Sequence, residues 1–117
     1  MVSKLTGRVL VISGSDPSGG AGLQGDIKTI TALGGFSTNA ITAITNQDTN
    51  KVYDIFDLNP SMVTNQIKTV LNDIGADSIK IGMLSNSEII KSVSLTLLEY
   101  AKGIPIVLDP VMSSQSG

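Results

Sequence analysis

Cysteine, histidine and tryptophan are absent from this chain of 117 residues. Without cysteine there is no disulfide framework, thiolate nucleophile or zinc–thiolate cluster. Without histidine there is no Ser-His-Asp triad and no imidazole metal ligand. Any metal must rest on oxygen ligands, which suits Mg²⁺ or Ca²⁺. Aromatic residues make up only 3%, so the core must be aliphatic. Basic residues are few: Lys plus Arg number 8 against 10 Asp plus Glu, a net charge of -2. That balance argues against a nucleic-acid surface. No apolar run approaches the ~20 residues of a membrane span. The opening MVSKLTGRVLVISGS is interrupted too early by Gly and Ser for a signal peptide. A cytoplasmic protein is the expectation.

What is present reads as one globular α/β domain. Hydrophobic residues reach 41% and charged residues 15%, a folding composition rather than a disordered one. VLVIS at 9–13 is an apolar, β-branched run of the kind buried on both faces of a parallel sheet. The turn-rich stretch Gly14–Gly20 follows. Leu23, Ile27 and Ile30 then fall on one helical face, and Gly34-Gly35 is a stop signal. A second strand is expected at 36–45, a polar turn at 46–50 and a more exposed strand at 52–58. Pro60 opens a second helix with its apolar stripe at Val63, Ile67, Val70, Leu71 and Ile74. A short strand is expected at 78–81. Ser85 and Glu88 have capping-box spacing for a third helix faced by Ile89, Val93, Leu97 and Ala101. Ile104–Leu108 is the last expected strand. Such alternation implies βαβ units on a mostly parallel sheet. The final strand would lack its covering helix, so the chain is expected to stop partway through a larger fold.

Ligands of open α/β sheets bind beyond the carboxyl ends of the strands. Four segments meet there: Gly14–Gly20, Asn46–Asn50, Gly82–Ser85 and Asp109–Gln115. In the first, glycine density beside Asp16 and Ser18 at a helix start suggests backbone N–H groups open to an acceptor or anion. Gly20-Ala21-Gly22-Leu23-Gln24-Gly25 matches the dinucleotide pattern G-x-G-x-x-G. In that motif the first glycine directly follows the strand, whereas Gly20 lies well beyond Gly14. No P-loop lysine follows Gly19 either. Taken singly, Asp26 reads as a first-turn carboxylate, Gln47 as a turn residue, Met83 as core and Asp109 as a strand terminator. Singly each of these ordinary readings is the better one; together, at four strand ends, they point to a site.

The segments SGSDPSGGAGLQGDIKT (13–29), ITAITNQDT (41–49), IKIGML (79–84) and VLDPVM (107–112) resemble the hydroxymethylpyrimidine/phosphomethylpyrimidine kinases of thiamine biosynthesis. These belong to the ribokinase-like superfamily. The resemblance runs in order along nearly the whole chain. It implies a three-layer α/β/α fold with a mostly parallel sheet, truncated after the strand at about 104–109. Residues 1–117 would be the N-terminal part of a single kinase domain. It implies ATP-dependent phosphorylation of 4-amino-5-hydroxymethyl-2-methylpyrimidine and of its monophosphate. Asp26 and Gln47 would hydrogen-bond the aminopyrimidine, Gly14 would let the ring approach the backbone, and Met83 and Val111 would wall its faces. Asp109 would lie on the phosphate and Mg²⁺ side, directly or through water.

The tail DPVMSSQSG departs from the family's usual DPVMVAKSG, so Gln115 carries no expected phosphate role. The anion hole, the group that activates the hydroxyl and most of the adenine site would lie beyond Gly117, leaving the isolated chain inactive. Family members are often dimers, so the resemblance allows a homodimer of the complete enzyme. A pyrimidine-binding protein without catalysis, and a dinucleotide-binding domain, stand as the alternatives.

Overall fold

A computed structural model describes residues 7–109. Val111 and the rest of the tail lie outside the described residues. The elements run β1 (Arg8–Ser15), α1 (Gly22–Ala32), β2 (Phe36–Gln47), β3 (Val52–Asp57), α2 (Pro60–Asp73), β4 (Ser78–Ile81), α3 (Ser87–Tyr100) and β5 (Ile106–Leu108). They form one five-stranded sheet in the order β3-β2-β1-β4-β5. β1 pairs in parallel with β2 and β4, and β4 with β5. β3 alone is antiparallel, paired with β2. The short connection at 48–51 dictates this, because a parallel return needs a dozen residues or more.

Side chains alternate across β1. Leu10 and Ile12 are fully buried on one face, where they join Ile79, Ile81, Val63, Ile67, Ile89, Val93, Leu97 and Ala101 in one cluster. This layer is the apolar stripe of α2 and α3 laid on the sheet. Each fully buried Ile or Val there stabilises by about 1.5–3 kcal/mol relative to exposure. The other face carries α1, which packs on β1 and β2 and buries Leu23. Three layers result. Among the described residues no helix is long and apolar enough to cross a membrane.

Three local expectations are corrected. The cap of α3 is Asn86, whose Oδ1 accepts the Ile89 amide at 2.9 Å. Ser85 instead has a left-handed backbone (φ 77°) and bonds Asp57 through its hydroxyl. The second strand also runs through Gln47 rather than stopping at 45. The last strand is shorter than expected: it begins at Ile106, after the turn at Lys102–Gly103, although the Pro105 carbonyl already accepts the Ile79 amide of β4.

Candidate functional site

The parallel strands all point their carboxyl ends at one edge, and a cavity of about 360 Å³ opens there on the α1 face. Its walls come from the β1–α1 loop, the β2–β3 hairpin, the end of β4 and Asp109 after β5. Gly14, Asp26, Gln47, Met83 and Asp109 all line it. The five expected site residues that the structure describes are therefore brought together.

The β1–α1 loop is organised by Asp16, which is buried, with 3% exposure. Its Oδ1 accepts the Ser18 amide at 2.8 Å and the Ser18 hydroxyl at 2.6 Å, and Oδ2 accepts the Ala21 amide at 2.7 Å. Burial pushes this carboxyl up, but the Ser18 hydroxyl and the Ala21, Ser18 and Gly20 amides outweigh it and hold it below the usual range. The anion at this helix start is thus the chain's own carboxylate. The Ser18, Gly19 and Ala21 amides are bonded to Asp16, whereas α1 itself has no side-chain cap. A Cβ on Gly20 would meet nothing within 4 Å, whereas Gly22 is tightly packed. Gly22 has φ +54°, and a Cβ there would meet the Gly14 carbonyl oxygen at 2.6 Å.

Met83 stands on the cavity floor because its backbone is gripped from two strands. The Thr42 hydroxyl donates to its carbonyl at 2.7 Å, and its amide donates to the Ser13 hydroxyl at 3.3 Å. Met83 is only partly buried, so it is a pocket wall rather than core. A Cβ on Gly14 would come within 2.6 Å of the Met83 terminal methyl. The bare backbone at Gly14 is therefore what seats this thioether. Gln47 closes the β2 side. Its side-chain amide lies 2.7 Å from the Thr45 hydroxyl, whose single proton is also within reach of the Ser15 carbonyl at 2.8 Å. In the hairpin, Asp48 accepts from the Tyr53 hydroxyl at 2.7 Å and from the Lys51 and Asn50 amides, so its carboxyl is held low.

The residue that the sequence reading missed is Lys80. It lies mid-strand between buried Ile79 and Ile81, with its side chain on the α1 face. Its Nζ donates to Asp26 Oδ1 at 2.6 Å and lies 3.5 Å from Asp109 Oδ2. A lone lysine inside a buried strand was the available signal, since such a charge needs a partner. Asp26 Oδ2 is buried and has no hydrogen-bond partner among the described residues. Among those residues, no group of three or more acidic side chains is arranged to hold a metal.

The family model for phosphomethylpyrimidine kinase matches residues 16–117. The chain belongs to the phosphomethylpyrimidine kinase family. It is 46% identical over 110 residues to the hydroxymethylpyrimidine/phosphomethylpyrimidine kinase of Mycobacterium leprae, covering 94% of this chain and 39% of that one. The crystal structure of phosphomethylpyrimidine kinase from Clostridium difficile superposes with a TM-score of 0.86 at 45% identity, covering 97% of this chain and 48% of that chain. A pyridoxal kinase from Staphylococcus aureus in complex with AMP-PCP and pyridoxal gives 0.80 at 38% identity, covering 95% and 40%. The chain thus spans two fifths to one half of the length of these relatives. The family is one of kinases, and the mostly parallel three-layer arrangement is that of its ribokinase-like members.

Proposed function

We propose that this chain forms the acceptor side of a kinase that phosphorylates 4-amino-5-hydroxymethyl-2-methylpyrimidine and its monophosphate in thiamine biosynthesis. The observation that carries the reading is the polar edge of the cavity. The Gln47 amide, held beside Thr45, and the unpaired Asp26 oxygen sit beside the apolar Met83 wall. A flat heterocycle wants apolar walls and a few fixed polar groups at its rim. An aminopyrimidine offers a ring nitrogen next to an exocyclic amine. A carboxamide reads that pair with one donor and one acceptor, as it reads adenine. A donor brought to Asp26 Oδ2 would relieve an oxygen that is costly to leave unpaired.

In the reaction, the hydroxymethyl oxygen bonds the γ-phosphorus of ATP, the bond from that phosphorus to the β-phosphate oxygen breaks, and ADP leaves. The hydroxyl proton is released. Catalysis of this kind rests on positioning and charge neutralisation. The described residues supply the positioning of the acceptor. The β1–α1 loop is closed around Asp16. The nucleotide and the group that takes the proton are, in this reading, assigned to the part of the relatives that lies outside the matched stretch. Asp109 suits the Mg²⁺ side. Its side chain is 66% exposed, and Mg²⁺ is held through one or two carboxylates together with phosphates and waters. Bound there, the ion would supply charge neutralisation to the phosphates.

Thermal unfolding of the chain with and without ligand tests the reading. Hydroxymethylpyrimidine should raise the melting temperature by mass action, and Asp26→Ala should abolish most of the rise. NAD should leave it unchanged. No stabilisation by the pyrimidine, or equal stabilisation of wild type and variant, would remove this assignment. With MgATP added, the 117-residue chain alone should bind the pyrimidine without forming its phosphate.

A further inference from the structure

We infer that Lys80 is a positioning residue of the acceptor pocket, one that fixes Asp26 by one oxygen so that the other is left to receive the ligand. The inference rests on the pyrimidine-binding reading above. Asp26 sits on α1 and Lys80 on β4, 54 residues apart in sequence, and nothing but this contact ties the two elements across the pocket floor in the described hydrogen-bond set. The bond is short, at 2.6 Å, and both side chains are largely shielded, with 26% and 19% exposure. A charge-assisted hydrogen bond in such a setting fixes direction as well as distance. A free Asp side chain rotates, and its two oxygens are equivalent. With Oδ1 committed to Lys80, they are not.

The same ammonium lies 3.5 Å from Asp109 Oδ2. Lys80 therefore stands between the carboxylate assigned to the ring and the one assigned to the phosphate side. It keeps two negative side chains from repelling each other across one small cavity. This role explains why a strand with buried isoleucines on either side of position 80 carries a charge there. Packing α1 on the sheet would be served as well by an aliphatic residue, since isosteric apolar replacement of a shielded ion pair is often neutral or stabilising.

The test measures the dissociation constant of hydroxymethylpyrimidine by calorimetry, and the melting temperature, for the wild-type chain and for Lys80→Met, Lys80→Arg, Asp26→Asn and the double variant Asp26→Asn/Lys80→Met. Lys80→Met should weaken binding by roughly 10- to 100-fold, the range for losing a hydrogen bond to a charged group. Lys80→Arg should recover part of the loss. In the Asp26→Asn background, Lys80→Met should cost little more, because the two act as a unit. Unchanged affinity in Lys80→Met, or a full second loss in the double variant, overturns the inference while leaving the pyrimidine reading intact. A wild-type chain that fails to bind the pyrimidine removes the reading itself. If Lys80→Met does not fold, Lys80→Gln, which keeps an amide donor, takes its place: affinity equal to wild type in a folded variant whose amide cannot supply charge would likewise overturn the role of the ammonium, and a loss would support it.

Discussion

Glycine at positions 14 and 22 looks interchangeable in the sequence, yet the two backbones meet different obstacles. At Gly22 the neighbour is the Gly14 carbonyl, part of a strand end, and φ is +54°. Neither can yield without moving β1 or α1. Gly22→Ala should therefore destabilise the fold by about 1–3 kcal/mol or more, read by urea denaturation. At Gly14 the neighbour is the Met83 methyl, the free end of a flexible side chain. Gly14→Ala should cost less stability than Gly22→Ala and push the thioether into the cavity. Pyrimidine affinity should fall while the urea midpoint shifts only modestly. A Gly14→Ala chain that binds as well as wild type would show that Met83 has somewhere else to go. Legibility follows the same line. Asp26, Gln47, Met83 and Asp109 stand out from local position, near strand ends or one turn into a helix, while their roles and that of Gly14 come with the family resemblance. Lys80 carries a sequence signal only as a charge inside a buried strand; its partners do not show there, because they are a residue 54 positions away and a near contact at Asp109. Asp16 was visible as a loop residue. That it satisfies the loop's own amides, rather than leaving them for an anion, is a matter of side-chain direction that spacing does not encode.

Each element's end is set by a bond that can be broken one at a time. For α3, both Ser85 and Asn86 are competent caps by residue type, and the capping-box spacing favours Ser85. The backbone decides for Asn86, since Ser85 is left-handed and its hydroxyl is drawn to Asp57. Asn86→Ala should cost about 1 kcal/mol of stability, while Ser85→Ala should leave the helix cap in place. Chemical denaturation of the two variants separates them. Helices and strands themselves were readable because hydrophobic period is local: the faces at Ile89, Val93, Leu97 and Ala101 are all buried as spaced. The α1 face was less faithful. Only Leu23 of its three apolar positions is fully buried, because α1 rests on two strands and leaves the cavity beside it open. A second bond fixes the start of β1. Arg8 grips Asp77 with two guanidinium nitrogens and its own amide, and donates to the Ile74 carbonyl. The hydrogen bonds from Arg8 hold the Asp77 carboxyl at about 2, below its ordinary 3.8. A lowered folded-state value means that the contribution is complete above pH 4 and disappears as pH falls from about 4 towards 2. Asp77→Asn should flatten the acid limb of the stability curve in that window and leave the slope above pH 5 unchanged. The pair is exposed, so high salt should shrink the difference.

The molecule as a whole has two unequal sheet edges. β3 exposes Tyr53, Ile55 and Phe56 but intersperses them with Asp54 and Asp57, and charges on an edge discourage pairing with another chain. β5 has no such protection. Ile106, Val107 and Leu108 are 46%, 59% and 63% exposed, so both faces of the strand are open. No other strand pairs with its outer edge among the described residues. On α3, Leu95 and Leu98 add further exposed apolar surface at 59% and 70%. An apolar edge with free backbone donors and acceptors is a template for association, and here it lies against the side of the sheet where Asp109 enters the cavity. The purified chain should therefore self-associate in a concentration-dependent way, measured by sedimentation velocity. Val107→Lys should shift the distribution towards monomer, because a charge on the edge strand must be desolvated before another strand can add. Phe56→Lys, at the already charged edge, should have little effect. The reverse ranking would place the sticky edge at β3. It would also locate association beside the hairpin that carries Gln47 rather than beside Asp109, and pyrimidine binding would then depend on protein concentration.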